Sequence, residues 1–180
     1  MITVVTGNKS KFYEISAFFS GIIEMTHSVF DCIEPQADSE EVIARYKAYH
    51  AYTALGVPLI VDDTGLFIDA LSGFPGPFAA YVQDTIGNVG ILRLMEGIEI
   101  RNAHFSTVVA YADENGIRIF SGRVDGTITF EERGVNGFGY DPIFLAGEKT
   151  LAEMSLAEKN SLSHRARALS AFRDWYIMSM

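Results

Sequence analysis

A strand-rich segment in the second half of the chain constrains the fold more than any other feature. Residues 103–111 and 117–130 are rich in Phe, Thr, Val, Ile and Tyr, and between them Asn115 and Gly116 form a residue pair favoured in hairpin turns. This pattern predicts two long antiparallel strands. Any fold for this chain must therefore accommodate a long hairpin beside the elements of the first half.

The first half of the chain alternates strands with helices. The predicted elements are a strand over Ile2–Val5, a helix around Lys11–Phe19, an extended stretch around Met25–Phe30, a helix over about Glu40–Leu55, and a buried strand over Pro58–Val61. Together with the hairpin, these strand, loop and helix units predict an α/β fold in which helices flank a long, twisted, mixed sheet.

Local patterns add detail to the helices. One face of the helix at 40–55 carries Val42, Tyr46, Tyr49 and Thr53. Before it, Asp38 and Glu41 have the spacing of a capping box. A further helix is predicted at about Ile86–Met95, after a loop at 73–77 that is too rich in Gly and Pro to form the interior of an element.

Length and charge restrict the class of protein. The 180 residues fit one domain over 1–180, and the net charge of −9 with no basic arm argues against nucleic-acid binding. Cys32 is the only cysteine, so no internal disulfide is expected. Neither a signal peptide nor an apolar run of membrane-spanning length is visible. We therefore expect a cytoplasmic protein that does not bind membranes.

Three cations precede or begin a helix near the C-terminus. Ser163 is a good N-cap and apolar residues recur from Ala168 to Tyr176, so His164 and Arg165 fall in the first helical turn, with Lys159 shortly before it. The positive end of the helix dipole disfavours cations there unless an anionic ligand binds among them. The alternative is that all three are solvated surface residues.

The loop from Thr6 to Lys11 joins a buried strand end to a helix N-terminus, where backbone N–H groups and the helix dipole favour phosphate. Gly7 would let the chain approach a ligand closely. The glycine spacing of a Walker A loop is missing. The alternative is an ordinary capped helix start.

Asp62 and Asp63 are expected at the carboxyl end of a central strand, the edge at which open α/β sheets bind ligands. One of the pair should point into the cleft because side chains alternate along a strand. With Glu34, that residue could hold Mg²⁺, which takes one or two carboxylates and completes its coordination with water and phosphate. The alternative is that both are turn residues.

The segment from Gly137 to Pro142 interleaves glycine and aromatic residues. A loop of this composition can place N–H groups against the edge of a base while a ring stacks on its face. The alternative is a glycine-rich turn whose aromatic rings pack into the core.

Five motifs, in this order along the chain, resemble the Ham1/inosine triphosphate pyrophosphatase family. They are Thr6, Gly7, Asn8 with Lys11; Val61, Asp62, Asp63, Thr64, Gly65, Leu66; Gly73, Phe74, Pro75, Gly76; Phe138, Gly139, Tyr140, Asp141, Pro142; and Lys159, Asn160 with Ser163, His164, Arg165. The resemblance spans nearly the whole chain and implies an ITPase-like fold of two lobes with an active-site cleft between them. It also implies a homodimer.

The resemblance assigns roles to individual residues. The triphosphate cradle would be formed by Thr6, Gly7, Asn8, Lys9, Ser10 and Lys11. Glu34 and Asp63 would be the metal ligands, Asp63 also the proton acceptor, and Thr64 a neighbouring substrate contact. The remaining substrate contacts would be Phe138, Gly139, Tyr140, Asp141, Lys159, His164 and Arg165. Ala80 and Tyr46 stand where some members carry lysines.

The implied activity is Mg²⁺-dependent hydrolysis of non-standard purine nucleoside triphosphates such as ITP, dITP and XTP to the monophosphate and pyrophosphate. Preference for these bases would come from a hydrogen-bond donor at the 6-oxo group, which adenine lacks. Two alternatives remain at this point: another nucleotide phosphohydrolase that releases orthophosphate, and a nucleotide-binding sensor without turnover.

Overall fold

Eight strands form one open mixed sheet in the computed structural model, which describes residues 1–179. The strands are β1 Ile2–Val5, β2 Met25–Ser28, β3 Leu59–Ile68, β4 Pro75–Gly76, β5 Asn102–Asp113, β6 Gly116–Ile128, β7 Phe144–Ala146 and β8 Lys149–Thr150. Their order is β2-β1-β3-β5-β6-β7-β8, and β4 also pairs with β3. The pairs β1/β2 and β1/β3 are parallel, and the other pairs are antiparallel. The predicted mixed α/β sheet is confirmed.

Six α-helices cover the sheet within the described residues. They are α1 Lys9–Phe18, α2 Glu40–Leu55, α3 Ala79–Thr85, α4 Gly87–Leu94, α5 Leu156–Leu162 and α6 His164–Met178. The helix α2 packs on one face, and α1 and α6 pack on the other. None of the helices in residues 1–179 has the length and apolar composition needed to cross a membrane.

The hairpin of β5 and β6 is the longest pairing of the sheet. It runs from Asn102 opposite Thr127 to Asp113 opposite Gly116. The turn is therefore Glu114–Asn115, one residue earlier than the predicted Asn115–Gly116 pair, and Gly116 begins β6 with a φ of 114°. The prediction of two long antiparallel strands is confirmed.

The strand β3 is much longer than its apolar run predicts. It continues from Leu59 through Asp62 and Asp63 to Ile68, because β5 pairs with it along its whole length. The prediction that the two aspartates end the strand is wrong. They do lie beyond the parallel neighbour β1, which pairs only with Leu59 and Ile60 of β3.

Alternation along β3 divides the hydrophobic core and creates a polar band between its parts. On one face, Ile60 belongs to the core beneath α1 and α6, whereas Leu66 and Ile68 belong to a second core at the other end of the sheet. Asp62 and Thr64 lie between them on the same face. Polar groups in the middle of a long strand thus separate two apolar cores and leave room for a site.

The helix α2 packs through alanines. Ala44, Ala48 and Ala51 are fully buried against β3 and β5, and such small side chains let the helix lie close to the sheet. The opposite, predicted apolar stripe is exposed: Val42 is 52%, Tyr46 44% and Tyr49 63% accessible. The stripe is present, but it does not face the core.

Other local differences are small. The helix α1 begins at Lys9, two residues before the prediction, and its N-cap is Asn8. The cap position of α2 is Ser39, whose side chain makes no capping hydrogen bond, so the Asp38–Glu41 capping box is wrong. The short helix α3 was not predicted, because the preceding Gly and Pro residues suggested a loop.

Candidate active site

A cavity of about 380 Å³ opens between the two cores, above the polar band of β3. Ten of the predicted site residues line it: Asn8, Lys11, Thr64, Phe138, Gly139, Tyr140, Asp141, Lys159, His164 and Arg165. Lys9 and Ser10 line a neighbouring cavity that shares Phe138 and Lys159 with it. Sequence motifs far apart along the chain therefore meet at one place.

The C-terminal cations are buried in this cleft. Lys159, His164 and Arg165 are each only 3% exposed, so the alternative of solvated surface residues is wrong. Ser163 is the N-cap of α6, as predicted, and its hydroxyl accepts a hydrogen bond from the Ala166 N–H. The cap fixes the start of α6 and so the direction in which the His164 and Arg165 side chains extend from its first turn.

Carboxylates from distant elements neutralise these cations. The Nζ of Lys159 lies 2.6 Å from Glu14 and 2.6 Å from Asp141. Arg165 donates to Glu14 and, over 3.1 Å, to Asp62. The buried ion pairs remove the conflict with the dipole of α6 without a ligand. Glu14 was not predicted, because nothing local in α1 indicates that its partners come from the C-terminal helices.

His164 is held as a neutral side chain. Its ring stacks on Phe105, and its Nδ1 shares a hydrogen bond with the hydroxyl of Thr107. Burial, reinforced by the neighbouring Arg165 and Lys159, places the pKa of His164 well below its usual range. At neutral pH the residue therefore contributes hydrogen bonding and ring surface rather than charge.

The loop at 138–141 is fixed by one carboxylate. The Oδ2 of Asp141 accepts from the Phe138 N–H over 2.7 Å and also from Lys159. A side chain at Gly137, where φ is 73°, would collide with that oxygen. The carboxylate thus requires glycine at this position and holds the loop against the C-terminal helices.

The two aromatic residues of this loop have different surroundings. The Phe138 ring lies 4.9 Å from the Lys159 ammonium and lines the cavity, where it offers a face for stacking. Tyr140 is buried, and its hydroxyl donates to the Ala79 carbonyl over 2.9 Å. One ring therefore fits the predicted base contact, while the other joins the loop to α3.

Asp62 connects the C-terminal cations with the first loop. Lys11 lies 3.2 Å from its Oδ2, the same oxygen that Arg165 contacts. Burial alone would raise the pKa of Asp62, but Lys11 and Arg165 outweigh burial and hold the pKa well below its usual range. The side chain of Asn8 accepts from the N–H groups of Ser10 and Lys11. Two of the N–H groups expected to bind phosphate are thus already capped.

Asp63 points to the opposite face of β3, towards α2. There the ammonium of Lys47 lies 2.6 Å from Glu34 and 3.4 Å from Asp63 Oδ1. Burial raises the pKa of Asp63 to about 6, and its Oδ2 has no partner among the described residues. Lys47 is the lysine that α2 brings to the site, whereas Tyr46 faces outward. In the sequence alone, Tyr46 stands at a position where some family members carry a lysine, but no pattern identifies Lys47, the next residue.

This second group fits a divalent metal ion. The two carboxylates already surround a positive charge, the Lys47 ammonium, and the free Oδ2 of Asp63 is an unused oxygen donor. Within residues 1–179 no cluster of three or more His, Cys, Asp or Glu side chains has a metal-binding arrangement. Two carboxylates with water and phosphate as remaining ligands suit Mg²⁺ better than metals that need an all-protein cage.

The fold and cleft define an α/β protein with a buried cavity, lined by charged and aromatic side chains, at the middle of its sheet. A model of the Ham1 family matches residues 2–175. The chain therefore belongs to the Ham1 family.

Curated relatives align over almost the full length. The dITP/XTP pyrophosphatase of Methanopyrus kandleri is 47% identical over 97% of this chain and 95% of its own. The dITP/XTP pyrophosphatase of Saccharolobus solfataricus is 49% identical over 97% of this chain and 92% of its own.

Solved structures share the architecture. The Ham1 protein of Staphylococcus aureus superposes with a TM-score of 0.84 at 28% identity, covering 100% of both chains. A HAM1 protein from Coxiella burnetii gives a TM-score of 0.84 at 33% identity, covering 99% of this chain and 100% of its own.

Proposed function

We propose that the protein hydrolyses non-standard purine nucleoside triphosphates, ITP, dITP and XTP, to the nucleoside monophosphate and pyrophosphate. The observation that carries this proposal is the position of two polar groups on opposite faces of β3. A buried cavity lined by ion-paired lysine and arginine side chains lies on the Asp62 face, and the carboxylates of Glu34 and Asp63 meet on the other face. The dITP/XTP pyrophosphatases that resemble the chain over nearly its whole length support the choice of substrate.

The triphosphate would lie along the first loop and the start of α1. This region offers Thr6, Gly7 and the lysines Lys9 and Lys11, together with the positive end of the α1 dipole. Because the Asn8 side chain caps two N–H groups there, the lysines and the metal must supply much of the charge that a triphosphate requires. Ser10 would contribute from the first turn.

Glu34 and Asp63 would hold Mg²⁺. When bound, the ion supplies charge neutralisation for the phosphates and polarises the phosphoryl oxygens. Lys47 forms ion pairs with both carboxylates. Once the metal ion neutralises Glu34 and Asp63, the Lys47 ammonium would be free to turn towards the phosphates.

Asp63 would accept the proton of the attacking water. Burial raises the pKa of Asp63 to about 6 in the metal-free protein, which makes this carboxylate a better proton acceptor than an ordinary aspartate. The water attacks the α-phosphorus and pyrophosphate departs as a unit. Lys11 and Lys47, on the two sides of β3, stabilise the developing negative charge.

The base would stack on Phe138, next to the buried cations. Lys159 and Arg165 retain N–H groups beyond those used in their ion pairs, and the 6-oxo group of hypoxanthine or xanthine would accept from them. The carboxylates fix both side chains in place, which suits them to recognition. Thr64, held by hydrogen bonds to Thr107 and Arg165, and the neutral His164 complete this wall.

The same proposal covers the organisation of the protein. Residues 1–180 would form a single domain, because one sheet extends from β2 to β8 and α6 returns to pack on β5 and β6. We further propose that two copies form a homodimer and that the protein acts in the cytoplasm on free nucleotides.

One assay distinguishes this function from its alternatives. The protein is incubated with ITP, GTP or ATP and Mg²⁺, and the products are separated by anion-exchange chromatography. We expect IMP and pyrophosphate from ITP, with slower turnover of GTP and ATP. Orthophosphate with IDP would identify a different phosphohydrolase, and bound but unchanged ITP would identify a nucleotide-binding protein without turnover.

A further inference from the structure

We propose that Gln83 contacts the substrate base and that its amide oxygen accepts a hydrogen bond from the N1–H of a 6-oxopurine. Gln83 lies on α3, in the stretch where no helix was predicted, and its side chain lines the same cavity as Phe138 and Arg165. The proposal rests on the function proposed above and adds a residue that discriminates between bases.

The helix α3 forms a wall of the cavity. Ala79 and Ala80 present small side chains to it, so the cavity remains open next to Gln83. The position of the wall is fixed, because the buried Tyr140 hydroxyl bonds to the Ala79 carbonyl. Gln83 therefore lies on a supported helix that is joined to the loop carrying Phe138.

The acceptor of Gln83 has no partner. Four buried side-chain atoms in residues 1–179 lack a hydrogen bond, and of these only Gln83 Oε1 belongs to a residue that lines this cavity. A buried acceptor that stays unpaired is unfavourable, so a ligand that supplies a donor at this point would bind more tightly. Gln83 Oε1 is thus an available acceptor in the wall of the cavity.

The other buried acceptors of the cleft are already occupied. Glu14, Asp62 and Asp141 bind lysine or arginine side chains. Thr64 Oγ1 accepts from Arg165 and shares a hydrogen bond with Thr107. A base that enters the cavity meets the spare N–H groups of Lys159 and Arg165 on one side. On the α3 side it meets the buried acceptor of Gln83, with the carboxylate of Asp84 exposed at the rim.

This arrangement matches the hydrogen-bonding edge of a 6-oxopurine. Hypoxanthine and xanthine carry an acceptor at position 6 and a donor at N1, whereas adenine carries a donor at position 6 and an acceptor at N1. Gln83 would therefore bind the N1–H of ITP or XTP and face the N1 lone pair of ATP, leaving both acceptors unpaired. Guanine also carries the N1–H, so Gln83 does not exclude GTP.

Three variants test this assignment through kcat/KM for ITP and ATP. Gln83→Met keeps the length of the side chain but removes its hydrogen bond, Gln83→Glu keeps an acceptor, and Thr85→Ala is a control on the exposed side of α3. We expect Gln83→Met to lower kcat/KM for ITP about 10-fold and leave that for ATP nearly unchanged, so the selectivity ratio falls by the same factor. Gln83→Glu and Thr85→Ala should keep the ratio within about twofold.

Two results would overturn the proposal. One is a Gln83→Met variant that keeps the ITP/ATP ratio or loses both activities equally. The other is a Gln83→Glu variant that loses ITP as severely as Gln83→Met, which would mean that the amide donates rather than accepts.

Calorimetric titration with IMP and AMP separates this proposal from the proposed function. If the wild-type protein hydrolyses no triphosphate, the proposed function fails, yet a preference for IMP over AMP that disappears in Gln83→Met still supports the contact. Equal affinity of the wild-type protein for IMP and AMP would contradict it.

Discussion

Adjacent residues on β3 show how strongly the side of a strand determines the chemistry of a carboxylate. Asp62 faces Lys11 and Arg165, which hold its pKa below the usual range, whereas Asp63 faces α2, where burial raises its pKa to about 6. Asp62 thus remains a fixed charge that supports other side chains. Asp63 is the one of the pair whose proton can move near neutral pH.

This difference predicts opposite effects of the same substitution. In Asp63→Asn we expect turnover of ITP to fall at least about 100-fold, because the proton acceptor and a metal ligand are lost. Its free energy of unfolding at pH 7.5 should stay unchanged or rise, because a raised pKa means that the folded state disfavours the ionised form at that pH.

The matched control is Asp62→Asn. It removes the shared partner of Lys11 and Arg165 and should lower the free energy of unfolding by about 3 kcal/mol, as expected when one partner of a buried ion pair is lost. Pyrophosphate release and urea unfolding measure the two effects. Full activity in Asp63→Asn, or equal stability losses in both variants, would contradict the assignment.

The buried His164 predicts a stability that depends on pH. Burial lowers its pKa in the folded protein, so below pH 6.5 the unfolded chain binds a proton that the folded protein does not. By proton linkage, this residue should reduce the free energy of unfolding by up to about 1.4 kcal/mol per pH unit as the pH falls below 6.5.

The contribution of this one residue is measured as a difference. Urea unfolding at pH 7.5, 6.5 and 5.5 is compared between the wild-type protein and His164→Gln, which keeps a polar group for Thr107. The wild-type protein should lose more stability than the variant between pH 6.5 and 5.5. Parallel losses would mean that other groups cause the acid sensitivity.

At the scale of elements, the position of α6 depends on a glycine in the sheet. A Cβ at Gly122 of β6 would collide with the backbone of α6 at His164 and Ala168. The absence of a side chain thus lets the N-terminus of α6 lie directly on the sheet. That contact places His164 and Arg165 in the cleft.

We therefore expect Gly122→Ala to displace the start of α6. The free energy of unfolding should fall by about 2 kcal/mol or more, as in overpacked sites, and ITP turnover should fall with it. Gly7→Ala serves as the stability control, because a Cβ there meets no atom within 4 Å. Urea unfolding of both variants checks this, and equal stabilities would contradict the close approach.

Local signals predicted the elements, and long-range contacts determined what the sequence did not reveal. The cap at Ser163 and the hairpin around Asn115 depend on neighbouring residues, and both are present, with the hairpin turn one residue earlier than predicted. The length of β3 depends on pairing with β5, whose partner residues begin far along the chain. A polar sequence such as Asp62–Asp63 looks like a strand end until its partner strand is known.

The candidate site also depends partly on local motifs and partly on long-range contacts. The motifs identified which residues meet, but not the partners that make their burial possible. Glu14 lies 145 residues before Lys159, and Lys47 is one helix position from the residue that was considered. No local pattern specifies either contact, because each depends on how whole helices pack on the sheet.

At the scale of the whole molecule, the outer face of α2 is an apolar surface that residues 1–179 leave uncovered. Val42, Tyr46 and Tyr49 follow one another at helical spacing and line a groove. Ile117, Asp113 at the end of β5 and Glu114 in the turn also border this groove. Arg45 lies beside the stripe and is exposed. A second copy would offer both apolar side chains and charges of opposite sign to this groove.

If this surface forms the proposed homodimer, the molecular mass in solution should depend on protein concentration, and one charged substitution on the surface should abolish dimerisation. Light scattering coupled to size exclusion should give twice the chain mass of 19.9 kDa for the wild-type protein and the single-chain mass for Tyr49→Arg, because an arginine facing its own copy would bury unpaired charge. Ile100→Arg is the matched control, since Ile100 is 70% exposed in a different groove. A dimer that survives Tyr49→Arg and dissociates in Ile100→Arg would place the contact at the other groove. A wild-type protein that stays at 19.9 kDa at all concentrations would contradict the homodimer itself.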